Sequence, residues 1–326
     1  MADIVTIGES MVLFQPYTGG GIKYTPLLTK SVGGAESNLA FGLTKLGRKV
    51  RWVSRVGNDP FGELILATLA GEGVDVTHAV KDPDHPTALY FKEAKVPSDP
   101  SVYYYRQQSA ASRFSSDHIR SEWFKDARHL HVTGITPALG EETAAFTKEA
   151  MIQAREQGLT VSFDPNLRRK LWDDHTARKV LLDLIPYCDV FLPGIEEAEF
   201  LLGEKSSAAY GEEFLNMGPS VVAMKLGEEG SIGFTNGHVF EAPGHTVKQV
   251  VDTVGAGDAF AAGLLDSLLE EKSLFDKETI VRTLPQALEQ ANITGALATQ
   301  FSGDWEGAPT KEEVRQYMNN GKMVTR

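Results

Sequence analysis

Cysteine is almost absent from this 326-residue chain: Cys188 stands alone and cannot form an internal disulfide. It adjoins the apolar, strand-like run DVFLP, so it reads as a small packing group and not as a nucleophile. No apolar run nears the ~20 residues that a bilayer-spanning helix requires. The opening MADIVTIGES has neither the basic start nor the apolar stretch of a secretory signal. These absences predict a cytoplasmic protein without a membrane partner. Positive charge is also short. With 32 Lys and Arg against 44 Asp and Glu, the formal net charge is -12, and such a field repels nucleic-acid phosphates. A dinucleotide-binding G-x-G-x-x-G turn is missing after the first strand, because Gly8 is followed by Glu9 and Ser10. There is no internal repeat, low-complexity tract or long linker to divide the chain.

What is present is an alternation. With 42% hydrophobic residues the chain can bury a full core. Short apolar runs recur as DIVTIGE, VRWVSRVG from Val50, HLHVTG from His129, TVSFDPN from Thr160, DVFLPG from Asp189 and SVVAMKLG from Ser220. Helical patterns closed by glycine lie between them, as in SNLAFGLTKLG from Ser37 and ETAAFTKEAMIQAREQG from Glu142. This alternation predicts a single α/β domain, residues 1–326, with a mostly parallel sheet flanked by helices on both faces. Ligands of such sheets bind at the carboxyl ends of the strands.

Two stretches, about 12–29 and 87–107, carry tyrosine, threonine and glycine without helical period. They predict a small accessory β-sheet, a lid built from discontinuous segments. By the two-residue strand period Ala88, Tyr90 and Lys92 share one face, and Val102, Tyr104 and Arg106 share another. Strands with exposed edges and aromatics favour pairing with a second copy, so a homo-oligomer through the lid is expected.

The sharpest chemical signal is VVDTVGAGDAFAAGLLDSLL, Val250 to Leu269. Gly255, Ala256 and Gly257 precede an apolar helical run, so their amides face outward at the positive end of a helix dipole, where an anion binds. Asp258 alone reads as an ordinary helix cap. Beside a bound phosphate, however, a carboxylate is repelled unless it is there to take a proton. Phosphoryl transfer to an alcohol needs that arrangement: an acid accepts the hydroxyl proton while fixed amides and a metal ion offset the developing charge. Upstream, Gly33 and Gly34 permit close approach of a sugar and Asn38 offers a donor and an acceptor to its hydroxyls; alone they read as a turn before a helix.

The string DTVGAGDAF resembles a signature of the ribokinase-like, PfkB-type carbohydrate kinases. VGGAESNLAFGLTKLG and VGNDPFGE resemble the family's other signature region, so the likeness spans nearly the whole chain. It implies a ribokinase-like fold, ATP and Mg²⁺ as cofactors, Asp258 as catalytic base and the turn Gly255–Gly257 as anion hole. It further implies nucleotide contacts at Asn166, Arg168, Lys225, Gly227, Gly230 and Asn292. On spacing alone KLGEEGS, Lys225 to Ser231, is equally a hairpin turn. In LPGIEEAEFL, Glu197 matches a family glutamate near Mg²⁺, acting through water, but Gly194 replaces the asparagine three positions earlier. Glu197 otherwise reads as a first-turn acid.

Gly34, Tyr90, Tyr104, Arg106, Arg168 and Asp258 together resemble the substrate set of the 2-keto-3-deoxygluconate kinases of the family. Arginine and tyrosine suit a sugar carboxylate. The resemblance therefore implies phosphorylation of that sugar acid at its terminal hydroxyl, to the 6-phosphate. A fructokinase or another hexose kinase is the alternative within the family, and a non-catalytic sugar or nucleotide sensor the alternative outside it.

Overall fold

The computed structural model describes residues 2–18, 20–93, 101–270 and 276–320. Position 19 and residues 94–100 of the two lid segments lie outside these. Among the described residues fourteen strands occur in chain order: β1 Ile4–Ile7, β2 Met11–Pro16, β3 Leu28–Gly33, β4 Val50–Val53, β5 Arg55–Gly57, β6 Val80–Asp82, β7 Leu89–Glu93, β8 Ser101–Tyr105, β9 His129–Thr133, β10 Thr160–Asp164, β11 Val190–Phe191, β12 Val221–Lys225, β13 Gly230–Thr235 and β14 His238–Pro243. The α-helices are α1 Ala35–Lys45, α2 Pro60–Gly71, α3 Glu141–Glu156, α4 Asp174–Leu184, α5 Ile195–Leu202, α6 Ser207–Met217, α7 Ala256–Leu268, α8 Lys277–Ala298 and α9 Lys311–Asn320.

Eight strands form the main sheet in the order β14-β13-β12-β11-β10-β9-β1-β4. Pairing is parallel from β4 through β12 and antiparallel for the last two pairs, β12 with β13 and β13 with β14. The apolar runs are nearly continuous because both faces are covered. Ile4, Val190, Val221 and Ala223 pack with α1, α7 and α8, whereas their neighbours Val5, Phe191, Val222 and Met224 pack with α3 to α6. This is the doubly covered α/β architecture expected from the alternation. Cys188 is fully buried in the second cluster, where desolvation holds its thiol well above the usual range and leaves it inert.

The second sheet has the order β3-β2-β7-β8, and both lid segments contribute to it. Tyr90 pairs with Tyr104 and Lys92 with Val102 across β7 and β8. Tyr90 and Lys92 are buried against the body of the protein, while Tyr103 and Tyr105 on the opposite face are exposed. A two-stranded pair, β5 with β6, completes the sheets.

Candidate active site

Two cavities adjoin at the carboxyl ends of the parallel strands, the larger of them also bordered by the second sheet. One, of about 480 Å³, is bordered by Gly227, Gly230, Phe260 and Asn292. The other, of about 690 Å³, is bordered by Gly34, Asn38, Tyr90, Tyr104, Arg106 and Asp258. Lys225, Thr253 and Gly257 border both, so the start of α7 is the common wall.

The local sequence explains that wall. Gly255, the residue capping α7, has φ +79°, and a side chain there would place its Cβ 1.8 Å from the Asp304 carbonyl oxygen. Only glycine satisfies both restrictions. The Ala256 amide closes a turn on the Thr253 carbonyl at 3.3 Å, so it is not one of the open donors that the motif suggested. The amides of Gly257 and Asp258, second and third in the helix, have no hydrogen-bond acceptor among the described residues and lie at the positive end of the dipole.

Asp258 does not cap the helix; Gly255 does. Its Oδ2 instead accepts a hydrogen bond from Asn38 Nδ2 at 2.8 Å. The carboxylate borders the larger cavity but is otherwise packed round by protein, and desolvation raises its pKa to about 7. The Asn38 bond and the charges of Arg168 and Lys225 oppose that rise, while Asp164 adds to it. An acid in this range changes protonation near neutral pH, as a general base requires.

Cationic residues border the same cavity. Lys225 Nζ donates to Asp164 Oδ2 at 2.7 Å from the common wall, and Asp164 and Glu197 hold its pKa above the usual value against desolvation. Arg168 is exposed and borders the larger cavity, its side chain without a hydrogen bond or ion pair among the described residues. Asn166, at φ +37°, is buried on the cavity wall and its Oδ1 has no hydrogen-bond partner.

On the lid side, Arg106 is buried, pairs with Glu9 at 2.5 Å and lies over the Tyr104 ring, its guanidinium carbon 5.4 Å from the centroid. Ser109 donates to the other oxygen of Glu9. The Tyr90 hydroxyl donates to Asp304 Oδ2 at 2.5 Å, and desolvation raises the Asp304 pKa to about 6. Gly33 borders neither cavity. A Cβ there would lie 2.1 Å from the Tyr90 hydroxyl, so this glycine makes room for the Tyr90–Asp304 pair, not for a sugar. Gly34 does border the larger cavity, and a Cβ there would lie 2.5 Å from the Glu9 carbonyl oxygen.

Glu197 also borders the larger cavity. Its two oxygens accept the amides of Leu167 and Gly194, each at 2.7 Å, fixing the loop after β10 to the start of α5. The first-turn acid is thus what its contacts describe. Asn292 Nδ2 donates to the carbonyls of Ala242 and Pro243, tying α8 to β14 beside the smaller cavity. KLGEEGS forms the hairpin turn that its spacing allowed, between antiparallel β12 and β13, and Lys225, Gly227 and Gly230 border the smaller cavity.

Similarity to known proteins accords with this geometry. The model of the pfkB family carbohydrate kinases matches residues 1–311. The chain belongs to that family. The 2-dehydro-3-deoxygluconokinase of Bacillus subtilis (strain 168) is 41% identical over 324 residues, covering 99% of this chain and 97% of that protein. Fructokinase-1 of Zea mays is 30% identical over 316 residues, covering 96% of each. Among solved structures, a putative ribokinase II from E. coli in complex with ATP and Mg²⁺ superimposes with a TM-score of 0.86 at 25% identity, covering 98% of this carbohydrate kinase and 99% of the other chain.

Asp304, Asp164, Lys92 and Glu9 border or brace the cavities and were not singled out from the sequence. The strand end at TVSFDPN gives a signal for Asp164. Asp304 sits in SGDWEG, which has no period to read.

Proposed function

We propose that this carbohydrate kinase transfers the γ-phosphoryl group of ATP to the terminal hydroxyl of 2-keto-3-deoxygluconate, giving the 6-phosphate. The observation that carries the reading is that Asp258 borders the charged cavity in the same first turn of α7 as the two open amides. Asp258 takes the proton of the attacking hydroxyl, the oxygen bonds to the γ-phosphorus, and the bond to the β-phosphate oxygen breaks to release ADP. The amides of Gly257 and Asp258 face the transferring group, and Lys225 and Arg168 offset its charge.

ATP occupies the smaller cavity, with the apolar side of Phe260 and the backbone of Gly227 and Gly230 along it. Mg²⁺ suits the phosphate end: Asn166 Oδ1 is a buried oxygen without a donor, the Asp164 carboxylate borders the same cavity, and hard oxygen donors are what this cation takes. When bound, it offsets phosphate charge. Glu197 bears on it only by holding the Asn166 loop.

The substrate class follows from the larger cavity, which Arg106, Tyr104 and Tyr90 border together with Asp258. A sugar carboxylate suits a guanidinium whose Nε has no hydrogen-bond partner despite burial, while its Nη2 is held by Glu9. The relatedness to a 2-dehydro-3-deoxygluconokinase supports the same reading. The similarity to a fructokinase keeps a neutral hexose as the second. Turnover measured on 2-keto-3-deoxygluconate and on fructose decides between them: a preference for the sugar acid that Arg106→Gln abolishes supports the first, and equal loss on both sugars sinks it. The exposed Tyr103 and Tyr105 face of the lid supports a second copy of the chain as partner.

A further inference from the structure

Lys92 projects from lid strand β7 into the wall of the sugar cavity, yet its ammonium is spent elsewhere. It donates to Asp252 Oδ2, and both side chains are nearly buried, 7% and 11% exposed. Asp252 lies three residues before Gly255. Its Oδ1 accepts the Val254 amide at 3.1 Å and its Oδ2 also accepts the Gly303 amide at 3.4 Å. One carboxylate therefore organises the approach to the anion turn and the loop of Asp304 that packs on Gly255. Two residues earlier on β7, Tyr90 bonds Asp304 itself. The same face of a single lid strand thus grips both segments that shape the turn.

We propose that Lys92 is a positioning residue for the nucleotide: from the sugar side of the site it fixes Asp252, and through it the amides that receive the phosphate. The inference rests on the reading of that turn as the phosphate site. A buried carboxylate holding two amides stays in place when its charge is matched; without the ammonium it is an uncompensated buried charge that turns toward water and releases the turn. The lid and the anion turn then no longer move as one unit, although no atom of Lys92 need touch ATP.

Calorimetric titration of the full chain with Mg²⁺-ATP, without sugar, isolates this role. Lys92→Met is expected to weaken ATP binding about tenfold, a loss typical of removing a charge-assisted contact. Methylammonium at matched ionic strength restores part of it, and tetramethylammonium, which has no N–H to donate, does not. Asp252→Asn, which keeps the side-chain volume, gives the same loss, and the double variant is no worse than either single one. Lys92→Arg keeps ATP affinity within about threefold, because the cation survives. Unchanged ATP affinity in Lys92→Met, with only the sugar KM raised, overturns the proposal and makes Lys92 a sugar contact. Failure of the sugar-acid reading shows separately, as absent turnover of 2-keto-3-deoxygluconate by the unmodified chain.

Discussion

Asn38 Nδ2 and Asp258 Oδ2 lie 2.8 Å apart although 220 residues separate them in sequence. The bond joins the first turns of α1 and α7, two helices that border the larger cavity, and on the proposed reading it leaves Asp258 Oδ1 for an incoming hydroxyl.

Because that bond favours the charged carboxylate, its loss raises the Asp258 pKa above its present value of about 7. In Asn38→Ala the acid limb of the kcat/KM profile therefore moves to higher pH, and the rate at neutral pH falls about tenfold or more as base and orientation are lost together. A pH–rate series checks the direction of the shift.

Asp258 also has a stability cost. Its folded pKa of about 7 exceeds the ordinary 3.8, so between those values the folded state holds more protons than the unfolded one, and stability falls as pH rises through the window. Asp258→Asn removes the ionisation. Thermal unfolding at pH 5 and pH 8 is expected to show the variant gaining on the parent chain at the higher pH.

Gly255→Ala forces a side chain into φ +79° and onto the Asp304 carbonyl. A stability loss of about 1–3 kcal/mol is expected from the backbone alone. Weakened ATP binding accompanies it, measured by denaturant unfolding and ligand titration on the same preparation.

Glu197→Gln turns one acceptor oxygen into an NH₂ group facing an amide donor, so the Leu167 or the Gly194 amide is left unpaired. About 1–3 kcal/mol of stability is lost and the Asn166 loop loosens. The Mg²⁺ concentration needed for half-maximal rate rises with it. An unchanged Mg²⁺ requirement removes Glu197 from any part in metal binding.

The strands were legible because both sheet faces are buried, which writes each as an unbroken apolar run, and the lid faces followed from a period of two. The glycine turn and its acid were legible because close backbone packing and a first-turn carboxylate each demand particular residue types in order. Pairings set by tertiary approach were not. Asp304 meets Tyr90, and Lys92 meets Asp252, only after the lid folds over loops that have no pattern of their own. Arg106 shows the same limit: the lid strand period gave its face, but nothing in sequence pairs it with Glu9 at the end of β1.

Transfer of phosphate within a single turnover, with the parent chain and Asp258→Asn each saturated with Mg²⁺-ATP and 2-keto-3-deoxygluconate, bears most directly on the whole account. A general base at this position predicts that the variant binds both partners within a few-fold of the parent while transfer slows by about 10²–10⁴. Transfer at an undiminished rate by Asp258→Asn would contradict it.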